Sequence, residues 1–84
     1  MNREQAISKV VRTLLLNKDM KVQEVERHLP FCTQSISNVL NNRNKWDIHK
    51  LYLFADLFGI DGSEILIRAE SLIDMKATQE AESL

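Results

Sequence analysis

The chain has little of what usually punctuates or cross-links a fold. Of 84 residues, one is cysteine, one is proline and two are glycine. A single cysteine excludes an internal disulfide and fits a reducing compartment. So few glycines and prolines leave little turn chemistry for the many tight reversals of a sheet, which favours a mostly helical chain. No run approaches the roughly eighteen apolar residues of a membrane span. The opening MNREQAIS carries an acid and lacks an apolar segment, so no signal peptide is expected. A cytoplasmic protein without a membrane partner is the expectation. Net charge is only −1, which does not favour a polyanion partner.

Catalytic and metal chemistry is also lacking. There is no phosphate-cradling glycine loop and no nucleophile motif. His28, Cys32 and His49 do not form the paired four-ligand spacing of a zinc site. The expectation is a protein that is not an enzyme and needs no metal or cofactor. A chain of this length buries only about 60% of its unfolded surface, so its core is thin and self-association is a common remedy.

Charge is uneven along the chain. Residues 1–50 carry a net +4 and residues 51–84 a net −5. The basic half contains the stretch Lys21–Asn42, KVQEVERHLPFCTQSISNVLNN. Val22, Val25 and Leu29 recur at one helical period before Pro30, and Ile36, Val39 and Leu40 at another after it. The outward positions of the second segment, Thr33, Gln34, Ser37, Asn38 and Asn41, are neutral and rich in amides. Two short helices, a three- or four-residue turn and an amide-bearing second helix suggest a helix-turn-helix that reads double-stranded DNA.

Five helices are expected. The first runs over about Arg3–Asn17, with Ile7, Val10, Val11, Leu14 and Leu15 on one stripe and Leu16 off it. The second spans about Val22–His28, ended by Pro30, which pushes the preceding residue out of the helical region. The third starts near Thr33 and ends near Asn41. The fourth has Asp47 as its cap, Trp46 and Leu51 placed as a hydrophobic staple, and Gly59 as its stop. Its face reads Ile48, Leu51, Tyr52, Ala55 and Phe58, widened by Leu53, Phe54 and Leu57. The fifth follows Asp61, with Ile65, Leu66, Ala69, Leu72 and Ile73 inward. Residues 1–75 form one domain and residues 76–84 a polar C-terminal tail.

With these residues in register, the chain resembles the phage repressor and Cro type of helix-turn-helix protein, the xenobiotic-response-element family. Val25 takes the apolar place of the second helix, Phe31 that of the turn, and Ile36 and Val39 the buried places of the third. FADLFGIDGSEIL, residues 54–66, is similar to the passage from the fourth helix to the fifth. The resemblance implies an all-α, five-helix repressor-like domain. It implies base reading by Thr33, Gln34, Ser37 and Asn38, and backbone contacts by Arg43, Asn44 and Lys45. Lys21 is a further phosphate candidate, as are the backbone N–H groups that open the second and fourth helices. Five positions depart from the family pattern. Pro30 stands where glycine is usual and cannot take a positive φ, so the turn must differ in shape. Glu26 replaces a small residue and Cys32 a hydroxyl cap, while Leu15 and Leu40 together replace a buried ion pair.

Gln34 and Asn38 lie four residues apart, and an amide pairs bidentately with adenine. With no Arg or Lys in residues 33–41, the contacted positions are expected to lean towards A·T pairs. Leu53, Leu57, Ile67, Leu72 and Ile73 are more apolar surface than such a domain needs. They are expected to line a homodimer interface with the fifth helix as its dimerisation element; the alternative is that the fifth helix folds back over them. The function expected is a sequence-specific transcriptional regulator, a repressor, on a two-fold operator. The rivals are a protein-interaction module on the same fold, an antitoxin-like partner or adaptor with a protein partner, and a restriction–modification controller.

Overall fold

The computed structural model describes the backbone of residues 2–82 and the side chains of residues 2–75. Five helices follow in order: α1 Arg3–Asn17, α2 Val22–His28, α3 Thr33–Leu40, α4 Ile48–Phe58 and α5 Gly62–Glu82. No strand occurs among the described residues. The all-α, five-helix architecture agrees with the sequence. The expected tail, residues 76–84, lies outside the described side chains; the backbone of 76–82 continues α5.

Local chemistry accounts for the helix ends. Asn2 Oδ1 accepts from Gln5 N, and Gln5 Oε1 accepts from Asn2 N, a reciprocal cap on α1. Asp47 Oδ1 accepts from Lys50 N at the start of α4. Three helices stop by the same device. After α1, Met20 N donates to Leu15 O and Asp19 N to Leu16 O, with Asp19 at φ 54°. After α3, Arg43 N donates to Asn38 O and Asn42 N to Val39 O, with Asn42 at φ 60°. After α4, Ile60 N donates to Ala55 O and Gly59 N to Asp56 O, with Gly59 at φ 71°. Each is a Schellman closure around one left-handed residue. With only two glycines available, the chain uses Asp and Asn there, the side chains that best tolerate this conformation.

The core is formed by Ala6, Ile7, Val10, Val11 and Leu15 of α1, Val25 of α2, Ile36, Val39 and Leu40 of α3, Leu51, Phe54, Ala55 and Phe58 of α4, and Ile65 and Ala69 of α5. Leu29 and Trp46 join it from the connections. Helix α5 lies along α1 and α4, while α3 packs on α1 and α2. The core stripe of α4 is rotated from the face read in the sequence. Ile48 is 71% and Tyr52 54% exposed, and Phe54 replaces them, only 1% exposed. The positions 51, 54, 55 and 58 still obey a helical period. Phe54 wins because it meets Trp46 edge-on at 5.3 Å and lies tilted against Phe58 at 6.3 Å, contacts that an aromatic ring favours over water.

Among the described residues, one polar side chain sits inside this core. Ser8 is fully buried. Its Oγ donates to Val39 O at 3.0 Å and accepts from Asn42 Nδ2 at 2.9 Å and from Trp46 Nε1 at 2.8 Å. One turn earlier on α1, Glu4 Oε2 accepts from Trp46 N at 2.7 Å. Residues four apart share a helix face, so Glu4 and Ser8 hold Trp46 by its backbone and by its ring. Trp46 thus does more than the staple expected of it: it links α1 to the start of α4.

Removing the Ser8 hydroxyl leaves the Trp46 N–H and Val39 carbonyl without that partner in the core. Ser8→Ala is expected to cost on the order of 3 kcal/mol, read as a lower urea midpoint at unchanged m-value. A midpoint equal to that of the wild type would show that these bonds contribute nothing net.

Candidate nucleic-acid interface

Helix α3 is short and is held from below. Ile36 and Val39, each 1% exposed, and Leu40 face the core. This leaves Gln34 exposed and Thr33, Ser37 and Asn38 half-buried on the outward side. The four residues expected to read bases therefore do share one accessible surface. They are also bonded to their neighbours. Gln34 Nε2 donates to Asn38 Oδ1 at 2.9 Å, and Asn41 Nδ2 to Ser37 Oγ at 3.2 Å. Thr33 Oγ1 donates to Glu26 Oε2 across the α2–α3 turn.

The turn, Leu29–Cys32, takes the shape that Pro30 demands. Leu29 is extended, at φ −117° and ψ 150°, and its N–H still closes α2 onto Val25 O at 3.0 Å. The left-handed non-glycine residues are Asp19 and Asn42, so the turn reverses the chain without one. Phe31, half-buried, anchors it. The ring stands edge-on to His49 at 6.3 Å, with Lys50 Nζ 5.8 Å from its centroid. Cys32, exposed, occupies the cap position of α3 but makes no side-chain hydrogen bond there, as expected of a thiol, a weak acceptor.

The basic residues lie at the ends of this surface. Lys21, exposed, precedes α2 and borders a groove with Arg12, Gln23, Ser37 and Asn41. Arg43, Asn44 and Lys45, all exposed, form the loop after α3, and beside it lie Asn2, Glu4 and Gln5 of the α1 start. The loop is fixed at both ends. Arg43 N and Asn44 N donate to Asn38 O at 2.8 and 3.3 Å, Asn42 reaches Ser8, and Trp46 N reaches Glu4. Helix α2 opens with no side chain bonded to its first N–H groups. The α4 start is different. There the Asp47 carboxylate takes the Lys50 N–H at 2.8 Å, and its negative charge disfavours a phosphate beside it.

Of the five residues expected at a dimer interface, four lean on the core of their own chain. Leu53, Leu57, Leu72 and Ile73 are half-buried against it. Helix α5, which carries Leu72 and Ile73, packs along α1 and α4, while Leu53 and Leu57 border a groove with Met20, His28 and Leu29. Ile67 is turned out, 58% exposed. Leu15 and Leu40, the apolar pair, are both buried, so no lone charge is trapped between α1 and α3.

The polar residues missed in the sequence are Glu4, Ser8 and Asn42. One signal was available. Ser8 falls on a stripe with Val11 and Leu15, and a polar group on a buried stripe requires partners. Those partners lie more than thirty residues away, so their identity was not legible. No group of His, Cys, Asp or Glu among the described residues is placed to hold a metal. No described helix is long and apolar enough to cross a membrane.

No protein-family model and no curated protein matches the chain. Among solved structures, it is similar to the clp gene regulator ClgR from Corynebacterium glutamicum. The TM-score is 0.87 at 17% identity, over 99% of this chain and 88% of that one. At that identity the likeness is one of fold.

Cys32→Ser puts an oxygen acceptor at an extended cap position. It is expected to stabilise the protein by about 0.5–1 kcal/mol, measured by urea unfolding. A loss of stability would mean that the thiol is packed in a way a hydroxyl cannot replace.

Proposed function

We propose that the protein is a sequence-specific DNA-binding transcriptional regulator that acts as a repressor. In this reading α3 enters the major groove, with Thr33, Gln34, Ser37 and Asn38 at base edges. Lys21, Arg43, Asn44 and Lys45 hold the sugar–phosphate backbone. The observation that carries the reading is the outward face of α3. It is neutral, hydrogen-bonding and accessible, with cations at its ends and none on it. An ordinary solvated helix face is charged; a face that reads base edges needs groups that both donate and accept. The fold shared with a gene regulator adds support.

The bonds among these side chains fit that role. Gln34 gives one amide proton to Asn38 and keeps its carbonyl oxygen and second proton, the pair that adenine requires. Asn38 keeps its Nδ2 protons. A side chain already held by its neighbour loses less freedom on binding. The backbone loop, fastened through Ser8, Glu4 and Asn38, is likewise preset.

The active form in this reading is a homodimer on two half-sites about 34–36 Å apart. Ile67 would be central to its seam, with Leu53, Leu57, Leu72 and Ile73 adding their uncovered edges. The second reading is a protein-interaction module, favoured by the acidic residues 51–84 and by exposed Ile48, Tyr52, Leu66 and Ile67.

Genomic-fragment selection with purified protein over a salt series separates the two. The regulator is expected to enrich a two-fold site, with log K falling by about 0.9 per phosphate contact for each unit of log salt. Absence of binding at low salt, with a protein partner recovered from extract, would favour the interaction module. Within the DNA reading, Asn38→Ala is expected to cost roughly 1–3 kcal/mol and relax one base position. Unchanged discrimination at every base would contradict the assigned face.

A further inference from the structure

Glu26 is out of place on a DNA-facing surface. It is exposed, it carries a negative charge, and it stands at the crossing of α2 on α3, where the family resembled here has a small residue. It does not pair with any lysine or arginine among the described residues. Instead its Oε2 accepts the hydroxyl proton of Thr33, the first residue of α3. We propose that Glu26 is a specificity-determining residue, one that makes the leading corner of α3 accept hydrogen bonds and not donate them. The proposal rests on the DNA-binding reading and names a residue that reading does not use.

A threonine hydroxyl has one proton and lone pairs to accept with, and an ionised carboxylate only accepts. Once the Thr33 proton is given to Glu26, Thr33 Oγ1 can only accept from anything else. Glu26 Oε1 can only accept as well. The corner therefore presents two acceptor atoms, Thr33 Oγ1 and Glu26 Oε1, and the Thr33 methyl.

In the major groove, amino protons are offered by adenine N6 and cytosine N4. Guanine presents N7 and O6, and thymine presents O4, all acceptors. An all-acceptor corner attracts the first two and opposes the others, because a buried acceptor facing an acceptor loses its water without gaining a bond. Further along α3 the amides of Gln34 and Asn38 carry both kinds of group, so the restriction is local to the first turn. This refines the expected lean towards A·T pairs: at the base facing Thr33 and Glu26, cytosine is admitted along with adenine.

A purely structural part for Glu26 is the alternative. Its carboxylate stands by the start of α3, where Cys32 supplies no cap, and a negative charge there favours a helix. The test must therefore read a quantity that stability alone does not move. Selection from a randomised duplex library is run with full-length wild type, Glu26→Gln and Glu26→Ala, each first checked for cooperative unfolding. Gln keeps an acceptor for Thr33 and adds a donor. Ala returns the Thr33 proton for use on DNA and restores a small residue at the crossing.

The wild type is expected to prefer adenine or cytosine over guanine or thymine by about tenfold at one position of each half-site, the order of discrimination of one good contact. Both variants are expected to reduce this to about twofold or less there, admitting guanine, with the other positions unchanged. An unaltered preference in both variants overturns the proposal, as does an equal weakening of every position, the signature of a structural role. Those results leave the DNA reading intact. A wild type that enriches no sequence overturns the DNA reading itself, and this proposal with it.

Discussion

The Ser8 hydroxyl has one proton and two lone pairs, and all three are used inside the core. Much of the outward surface depends on that arrangement. The proton goes to the carbonyl of Val39 near the end of α3, and the lone pairs take Asn42 after the helix and Trp46 before α4. A buried hydroxyl left without a partner costs about twice what one bond contributes net. That asymmetry makes the arrangement specific: other placements of the loop strand a buried polar atom. Every buried side-chain nitrogen or oxygen among the described residues has a partner. Glu4 reinforces the link by holding the backbone of the same Trp46.

The position of α3 follows from two supports of different kinds. Its inner side is held by apolar packing of Ile36, Val39 and Leu40, and its two ends by polar contacts. At the far end stand Ser8 and Asn42. At the near end the turn carries Pro30, which limits its shape, and Phe31, which packs against the start of α4. Glu26 spans the turn to Thr33. The thiol of Cys32 leaves the first N–H groups of α3 without the usual hydroxyl cap. What looks in sequence like a set of unrelated departures is, in space, one locally consistent corner.

Helix α5 gives a second example of a choice made by packing. Leu53, Leu57, Leu72 and Ile73 had two possible destinations, the core of their own chain or a second copy. Each of the four is half-covered within its own chain: Leu72 and Ile73 on α5, which lies along α1 and α4, and Leu53 and Leu57 beside Met20, His28 and Leu29. An 84-residue chain has little interior, and the fold-back increases it. Ile67, on the opposite side of α5, gains nothing from this arrangement and stays exposed.

Much of the secondary structure was legible in the sequence. The bounds of α1 and α2, the Asp47 cap and the Gly59 stop follow from capping chemistry and helical period, which act over a few residues. The inward Ile36, Val39 and Leu40, and hence the outward face of α3, follow from the same period. The core stripe of α4 was not legible, because Tyr52 and Phe54 are both aromatic and either fits an apolar helix face. Only the presence of Trp46 5.3 Å from Phe54 decides between them. The left-handed Asp19 and Asn42 were missed because their conformation depends on the helices that they close. The Ser8 junction lay furthest from view. Its bonds to Val39, Asn42 and Trp46 join positions 31, 34 and 38 residues apart, and no local pattern marks a partner at that distance. Where the helices run, and the inward face of α3, depend on near neighbours and can be read along the chain. Tertiary structure alone decided which polar groups meet in the core, since a hydrogen bond there requires that distant segments first be brought together.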